Sequence, residues 1–400
     1  MTVLQINVVY DEKSTGRTCK EVERFLEANG VKCITAFGTG SGKGINSYRI
    51  DTKLEYYIHN VLSRLTGLEG YFSFFATQRL IKYIDLIKPD IIHLRNLHGH
   101  YLNLPLLFGY LRKTQIPVVL SLHDCWIFTG KCTYPIRNNC LKWKKCCMEC
   151  PAVKDYPASW FFDFSKKMYV DKKLFFEGIN ICTVLGVSRW VADQASQSFL
   201  NKYPVQYLYN WIDLSVFHDY NEKTILEEYG ADLNKFTIIC VAAAWKEHTS
   251  KNDELIHLGE RLGDRVQILV VGKNANTVKC ANTIPIGFVS NTSKLAQLYS
   301  ASDLYVHLSA ADTFGKVIAE AMACGTPAIA YDCTACSELI KPGCGKLVPL
   351  HDVEGIYDAV CEIIANGKEY YSQNCIQRVA LEFDYETNCT ELLKIYSNGE

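Results

Sequence analysis

The stretch DLYVHLSAADTFGKVIAEAMACGTPAIAY, residues 303–331, contains a complete strand–helix–strand unit. DLYVHLS is a short apolar run typical of a buried strand, and AADTF follows it as a loop. GKVIAEAMAC has the small and apolar residues of a packed helix, and Gly325 before Pro327 predicts where that helix ends. TPAIAY is the next apolar run. Such a unit predicts two parallel strands joined by a crossover helix.

The same alternation continues in both directions along the chain. VLQINVVY, VKCITAF, PDIIHL and IPVVLSL are apolar runs separated by amphipathic segments, among them a helix predicted over 17–28. The pattern restarts at 236 with FTIICVAAA, a helix over 252–262 and RVQILVVG. Because 400 residues exceed one ordinary core, we predict an α/β protein with two doubly wound, Rossmann-like domains.

We expect the first domain to span 1–208, with a cysteine-rich insert at 125–158, and the second to span 209–375. A C-terminal helix over 376–400 is expected to cross back to the first domain. Ligands of open α/β sheets bind beyond the carboxyl ends of the strands. The sequence therefore predicts a ligand in a cleft between two facing sheets.

Composition limits the classes of protein that this chain can belong to. Hydrophobic residues make up 48% and charged residues 21%, as in folded globular proteins. The formal net charge of -1 gives no overall attraction to nucleic acid, and we expect no such partner. The N-terminus lacks the features of a signal peptide, and no apolar window is long enough to span a membrane. We therefore expect a cytoplasmic protein whose 18 cysteines stay reduced.

The loop and helix of the opening stretch carry a chemical pattern. Gly315 lies at the helix start, where free N–H groups form an anion site, and Lys316 adds a positive charge. Glu320 lies about one turn further on, where a carboxylate can accept two hydrogen bonds from a diol. A diphosphate at the helix start, a ribose at Glu320 and a sugar near Asp312 would fit this spacing. The alternative is that Asp312 caps the helix and Glu320 lies on a solvated face.

This stretch resembles the acidic signature of the family 4 glycosyltransferases, which are retaining enzymes with the GT-B fold. Asp312 stands where the family usually has Glu, and the positions that match are Phe314, Gly315, Glu320, Gly325 and Pro327. The resemblance implies that Glu320 holds the donor ribose. It also implies that Phe314 and Gly315 contact the donor sugar and phosphates, and that Asp312 lies by the reacting face of the sugar.

Other segments extend the resemblance over nearly the whole chain. STGRT, which contains Gly16, resembles the glycine-bearing loop after the first strand. HLRNLHGHYLN, LHDCWIFTGKC and YNWIDLSVF resemble segments of a bacterial subgroup that builds exopolysaccharide, capsule or lipopolysaccharide. The resemblance implies that His123 reaches the donor sugar. The alternative for His123 is a histidine satisfied at the end of a strand.

The family holds the diphosphate with an Arg and a Lys five positions later, in the loop after the first strand of the second domain. Lys246 and Lys251 have this spacing, although no Arg is present and His248 lies between them. Lys251 is the stronger candidate. The alternative is a pair of solvated lysines.

The predicted function is transfer of a sugar from a nucleotide-diphosphate donor to a glycan acceptor that is attached to a lipid carrier. The resemblance implies that catalysis needs no metal cofactor. Two alternatives from other classes stay open. One is a sugar-nucleotide epimerase with the same architecture, and the other is a nonenzymatic zinc module.

Six of the 18 cysteines fall within residues 125–150. Cys132, Cys140, Cys147 and Cys150 are separated by seven, six and two residues, and Cys146 could replace Cys147. Four thiolates close together in one loop suit a tetrahedral zinc ion, so we expect a structural zinc site here. The alternatives are buried free cysteines or a disulfide.

Residues 131–173 combine ten Lys or Arg with four Asp or Glu, interleaved with aromatic residues such as Trp160, Phe161 and Phe162. The segment 48–75 adds further aromatic residues. This composition is typical of a surface that contacts a membrane interface, here the cytoplasmic face of the inner membrane. The alternative is an ordinary solvated face.

Overall fold

The structure is a computed structural model that describes residues 1–40, 42 and 44–397. The chain divides into two compact units. Unit 1 comprises Met1–Leu208 with the residues from Cys389 onward, and unit 2 comprises Tyr209–Asn388. Each unit has one sheet of parallel strands, which confirms the prediction of two doubly wound α/β halves.

The sheet of unit 1 has seven strands in the order β3-β2-β1-β4-β5-β6-β7. Its strands are β1 (Thr2–Val9), β2 (Lys32–Thr39), β3 (Ser47–Arg49), β4 (Ile91–Leu94), β5 (Val118–Leu122), β6 (Ile181–Gly186) and β7 (Val205–Tyr207). Its helices are α1 (Lys13–Ala28), α2 (Lys53–Thr66), α3 (Phe74–Ile87), α4 (Leu104–Thr114), α5 (Ser165–Phe175) and α6 (Arg189–Ser196). Every residue of β4 and β5 is buried, as expected for central parallel strands covered on both faces.

The sheet of unit 2 has six strands in the order β10-β9-β8-β11-β12-β13. Its strands are β8 (Phe236–Ala244), β9 (Val266–Lys273), β10 (Thr283–Gly287), β11 (Leu304–His307), β12 (Ala328–Tyr331) and β13 (Gly345–Val348). Its helices are α7 (Ser250–Leu262), α8 (Thr292–Ala301), α9 (Lys316–Ala323), α10 (Cys336–Leu339), α11 (Val353–Asn366) and α12 (Glu369–Glu382). The last helix, α13 (Tyr385–Ser397), begins in unit 2 and belongs to unit 1 from Cys389 onward.

The structure differs from the sequence prediction at the start of α1. This helix begins at Lys13, so the segment STGRT forms its first turns instead of a loop. Gly16 is buried there, and a Cβ atom at this position would lie 3.1 Å from Val9 Cγ2 and 3.2 Å from the Asp11 nitrogen. The absence of a side chain lets the helix begin directly against the end of β1.

The predicted C-terminal helix over 376–400 is interrupted. Helix α12 ends at Glu382 and α13 begins at Tyr385. Between them, Phe383 is fully buried and its carbonyl accepts a hydrogen bond from the Ile212 N–H at 2.7 Å. The backbone leaves the helical path because it pairs with the segment around Ile212. The last three residues of the predicted helix lie outside the described residues.

Among the described residues, no helix combines the length and the apolar composition needed to cross a membrane.

Candidate active site

The strand order of unit 2 reverses between β8 and β11. These strands are hydrogen-bonded neighbours, with Leu304 opposite Ile238 and Tyr305 opposite Ile239. Chain order runs outward from β8 in one direction and from β11 in the other. Loops that follow such a pair diverge to opposite faces and leave a crevice at the carboxyl edge of the sheet. The segments after β8 and β11 contain the predicted residues Lys246, Lys251 and 312–320.

Helix α9 starts at this edge, directly after the loop that contains Asp312. Gly315 is its N-cap residue, with φ of 85° and ψ of 48°, and no side chain caps the helix. The left-handed conformation favours glycine because a Cβ atom is strained there. The first turn of an α-helix leaves N–H groups without intrahelical partners, and its dipole favours an anion. Lys316, the first residue of α9, is half-buried.

The side chain of Asp312 pairs with a histidine at the end of the preceding strand. Its carboxylate oxygen Oδ2 accepts a hydrogen bond from His307 Nε2 at 2.7 Å. The Nδ1 atom of His307 then accepts from the hydroxyl of Tyr305 at 2.8 Å. His307 is the last residue of β11, and its side chain fixes the orientation of Asp312. Sequence reasoning missed this partner, although a histidine at a strand end five positions before Asp312 is a signal for it.

Glu320 is buried, with only 5% of its surface exposed, so it does not lie on a solvated face. A buried carboxylate is costly unless hydrogen bonds compensate for its lost hydration. Phe314 is also buried, and its ring packs against Tyr209 at 6.1 Å and Phe383 at 5.4 Å between centroids. The structure therefore places the Phe314 ring in the core beneath the loop.

The two predicted lysines after β8 have different environments. Lys246 is exposed in the loop. Lys251 lies in the first turn of α7, and its ammonium group is 4.5 Å from the centre of the Trp245 ring. Trp245 is itself fixed, because its Nε1–H donates to the Val271 carbonyl at 3.0 Å. Lys251 is thus held in a defined position by a cation–π contact, whereas Lys246 is solvated.

His123 follows β5 in unit 1 and is only 9% exposed. Its Nε2 atom accepts a hydrogen bond from Arg95 Nε at 3.3 Å, and Arg95 also donates to Gln5 Oε1 at 2.7 Å. Burial, and next the charge of Arg95, lower the pKa of His123 to about 3. The imidazole is therefore neutral, with its proton on Nδ1. Sequence reasoning did not identify Arg95, whose hydrogen bond to His123 connects the residues that follow β4 and β5.

The four predicted zinc ligands lie in a segment without long helices or strands. Two of the four thiols contact each other, and a third has a different partner. Cys132 and Cys150 share a thiol hydrogen bond, which lowers the pKa of Cys150 to about 7. Cys147 Sγ instead accepts the Gly130 N–H at 3.1 Å, and burial raises its pKa to about 11. Cys140 is half-buried. Within the described part of the chain, no three of these cysteines have sulfur atoms that all lie within 4.8 Å of one another.

Within residues 1–40, 42 and 44–397, two groups of three side chains have possible metal-ligand atoms that all lie within 4.8 Å of one another. One is His59, Glu69 and His100 in unit 1; the other is His307, Asp312 and Cys336 in unit 2. In the first group, Gly70 N–H donates to His59 Nε2 at 3.2 Å, and Glu69 contacts His100 Nδ1 at 2.5 Å. This first group is a buried hydrogen-bonded network that connects the start of the 99–103 loop to α2.

Comparisons with known proteins agree with this architecture. A model described as Glycosyltransferase Family 4 matches residues 15–216, about half of the chain, and one described as Glycosyl transferases group 1 matches residues 235–366. The protein named colanic acid biosynthesis glycosyl transferase WcaC, from Escherichia coli K12, is 24% identical over 375 residues, which cover 88% of each chain.

Solved structures resemble the whole chain. Sucrose-phosphate synthase from Thermosynechococcus elongatus has a TM-score of 0.72 at 16% identity, covering 99% of this chain and 98% of that one. HepE from Anabaena, solved in complex with UDP-glucose, has a TM-score of 0.66 at 15% identity, covering 100% of both chains. The protein thus has the GT-B fold of two doubly wound units. It belongs to glycosyltransferase family 4.

Proposed function

We propose that this glycosyltransferase is a retaining enzyme that transfers a sugar from a nucleoside-diphosphate donor to a glycan acceptor in cell-surface polysaccharide synthesis. The proposal rests mainly on the reversal of strand order in unit 2. There, Lys251, the start of α9 and Asp312 follow two adjacent strands at one sheet edge. The names of WcaC, a colanic acid enzyme, and of HepE, solved with UDP-glucose, support the polysaccharide product and the type of donor.

In this proposal, the donor diphosphate lies against the first turn of α9, with Lys251 and Lys316 near its negative charge and Lys246 at the rim of the site. Glu320 accepts hydrogen bonds from the ribose, and Asp312, oriented by His307, lies at the sugar. The bond between the anomeric carbon and the diphosphate breaks as the acceptor oxygen bonds to the same face of that carbon. The acceptor proton passes to the departing diphosphate. The helix start and the lysines stabilise the growing charge on the leaving group.

No metal cofactor is proposed for this step. The predicted role of His123 at the donor sugar stays a prediction, and its neutral state limits that role to hydrogen bonding. A structural zinc ion at Cys132, Cys140, Cys147 and Cys150 also stays a prediction, for which the contact between Cys132 and Cys150 supplies two sulfur ligands.

We further propose a lipid-linked acceptor and contact with the cytoplasmic face of a membrane. Helix α2 and the segment 160–164 lie side by side, because the Trp160 N–H donates to the Arg64 carbonyl at 2.6 Å. Together they expose apolar side chains that we name the aromatic surface: Leu54, Tyr57, Ile58, Val61, Trp160, Phe161 and Phe162. Exposed aromatic residues with basic neighbours favour the membrane interface.

The donor site can be tested without knowledge of the acceptor. A bound ligand raises the melting temperature of the protein by mass action, so we expect UDP, GDP or a nucleotide sugar from a panel to raise it. Lys251→Ala and Glu320→Gln should each weaken the binding of the compound that raises the melting temperature at least about tenfold. The reason is that a hydrogen bond to a charged group is worth about 1.5–3 kcal/mol.

Matched controls are Lys235→Ala, an exposed lysine at the opposite end of β8, and Glu260→Gln, an exposed glutamate on α7. Both controls should bind the ligand like the unsubstituted protein. Equal weakening by all four substitutions would contradict the site. Isomerisation of the bound nucleotide sugar in the absence of any acceptor would instead favour the epimerase.

A further inference from the structure

A second cluster of reactive side chains lies beside the proposed donor site, at the ends of β11 and β12. His307 ends β11 and Asp312 follows it in the loop. Cys333 and Cys336 follow β12, which is the hydrogen-bonded neighbour of β11. Because parallel strands end at the same sheet edge, the two loops meet. The ligand atoms of His307, Asp312 and Cys336 all lie within 4.8 Å of one another.

Backbone contacts clamp the two loops together. The Asp312 N–H donates to Thr334 Oγ1 at 3.0 Å, and the Ala335 N–H donates to the Asp312 carbonyl at 3.3 Å. Cys333 and Cys336 share a thiol hydrogen bond, so a second sulfur lies next to the group of three. The cluster therefore contains one imidazole, one carboxylate and two thiols, held by backbone from two elements.

We propose that His307, Asp312, Cys333 and Cys336 bind one Zn²⁺ ion. Two sulfurs, one nitrogen and one oxygen make a borderline-soft, four-ligand set that suits zinc and disfavours Mg²⁺ or Ca²⁺. His307 can offer Nε2 to the metal because its Nδ1 atom faces the Tyr305 hydroxyl, which can accept the Nδ1 proton. Asp312 is 30% exposed, and this leaves a route for an ion to enter.

Binding requires two movements. Cys333 Sγ, which donates to the Ser309 and Ala310 carbonyls and lies outside the group within 4.8 Å, must turn toward the other three ligands. One contact within that group must also open. Zn–N and Zn–O bonds of about 2.0–2.1 Å in a tetrahedron place the two atoms about 3.4 Å apart. The contact between His307 Nε2 and Asp312 Oδ2 is 2.7 Å, so it must open by about 0.7 Å. Rotation of the partly exposed carboxylate can supply this movement. If Asp312 also serves the donor sugar, as the proposed function states, a bound ion would inhibit transfer, but the site itself does not rest on that function.

The test measures metal binding alone. The protein is prepared without a histidine tag, stripped with chelator, reduced with a phosphine and titrated with Co²⁺ and Zn²⁺. We expect thiolate-to-cobalt charge-transfer absorption that Zn²⁺ displaces. Cys333→Ser/Cys336→Ser should lose one equivalent of metal, and Asp312→Asn, which replaces a partly exposed side chain by an isostere, should weaken Zn²⁺ binding at least about tenfold.

The matched control is Cys344→Ser/Cys375→Ser, because these thiols also share a hydrogen bond but lie near the cationic Arg378. This variant should keep the full metal stoichiometry. Cys132→Ser/Cys150→Ser reports separately on any ion held by the predicted cysteine cluster. The proposal is overturned if Asp312→Asn and the folded Cys333→Ser/Cys336→Ser variant bind as much metal, as tightly, as the unsubstituted protein. Neither result depends on nucleotide binding or transfer.

Discussion

At the scale of single residues, the main feature of unit 1 is a histidine kept neutral by its surroundings. His123 is buried and accepts a hydrogen bond from Arg95, which is positively charged. Protonation of His123 would bring two cations together away from water. The cost of that arrangement lowers its pKa from the ordinary value of 6.5 to about 3.

This shift predicts a pH dependence of stability. Between pH 6.5 and about 3, the unfolded chain binds a proton at His123 that the folded chain does not bind, so the free energy of unfolding falls as the pH falls through this range. His123→Gln should reduce the slope by up to about 1.4 kcal/mol per pH unit. Urea unfolding at a series of pH values measures it. His218→Gln, at an exposed histidine, should leave the slope unchanged, and an unchanged slope in His123→Gln would contradict the interpretation.

Single residues also show how far the sequence could predict the site. Gly315 and Glu320 can be proposed from the sequence because their spacing within one helix is local information. His307 and Arg95 were missed as partners, since their contacts join residues whose proximity depends on the sheet. The burial of Phe314 was likewise missed, because Tyr209 and Phe383, which cover its ring, are distant in sequence.

At the scale of elements, the buried strands were the most predictable part of the fold, because runs of apolar residues mark central parallel strands. The three-residue strand β3 is too short to give a pattern. Helix α2 was not predicted, although Thr52 and Glu55 form a capping box at its start. Its apolar residues Tyr57 and Ile58 are exposed, so its pattern departs from that of a helix packed on a core.

Helix α9 allows a prediction that separates strain from ligand binding. Both ends of this helix have a glycine with positive φ, 85° at Gly315 and 75° at Gly325. Alanine at either position adds similar backbone strain, about 1 kcal/mol, and should lower the melting temperature by a similar amount. Only Gly315→Ala should weaken the binding of the nucleotide ligand, because its Cβ atom would lie 3.1 Å from Ile318 Cδ1 and would displace the first turn of the helix.

The two variants are compared by thermal unfolding with and without the nucleotide. Gly325→Ala is the control, because its added Cβ atom would meet side chains of α12 at 3.5 Å, an ordinary contact distance. If Gly325→Ala weakened nucleotide binding as much as Gly315→Ala, the effect would come from destabilised helix packing. The start of α9 would then have no special role in anion binding.

At the scale of the whole molecule, the first six strands of unit 1 and the six strands of unit 2 have the same order, but the two units place different chemistry at the point where that order reverses. In unit 2, the reversal between β8 and β11 brings lysines, a helix start and carboxylates to one edge. In unit 1, the reversal lies between β1 and β4, and Arg95 follows β4. The anion-binding features therefore favour unit 2 as the donor unit, and the aromatic surface belongs to unit 1.

The aromatic surface predicts binding to membranes through unit 1. We expect the protein to sediment with vesicles of phosphatidylethanolamine and phosphatidylglycerol, and to bind less well when phosphatidylcholine replaces the anionic lipid. Phe161→Ser/Phe162→Ser should weaken vesicle binding at least about tenfold, because burying each apolar ring contributes about 1.5–3 kcal/mol. Phe288→Ser/Leu381→Ser is the control, because Phe288 and Leu381 lie in unit 2 and are similarly exposed. Their exposed fractions are 61% and 77%, and those of Phe161 and Phe162 are 70% and 54%. If both double variants sediment like the unsubstituted protein, the aromatic surface does not contact lipid.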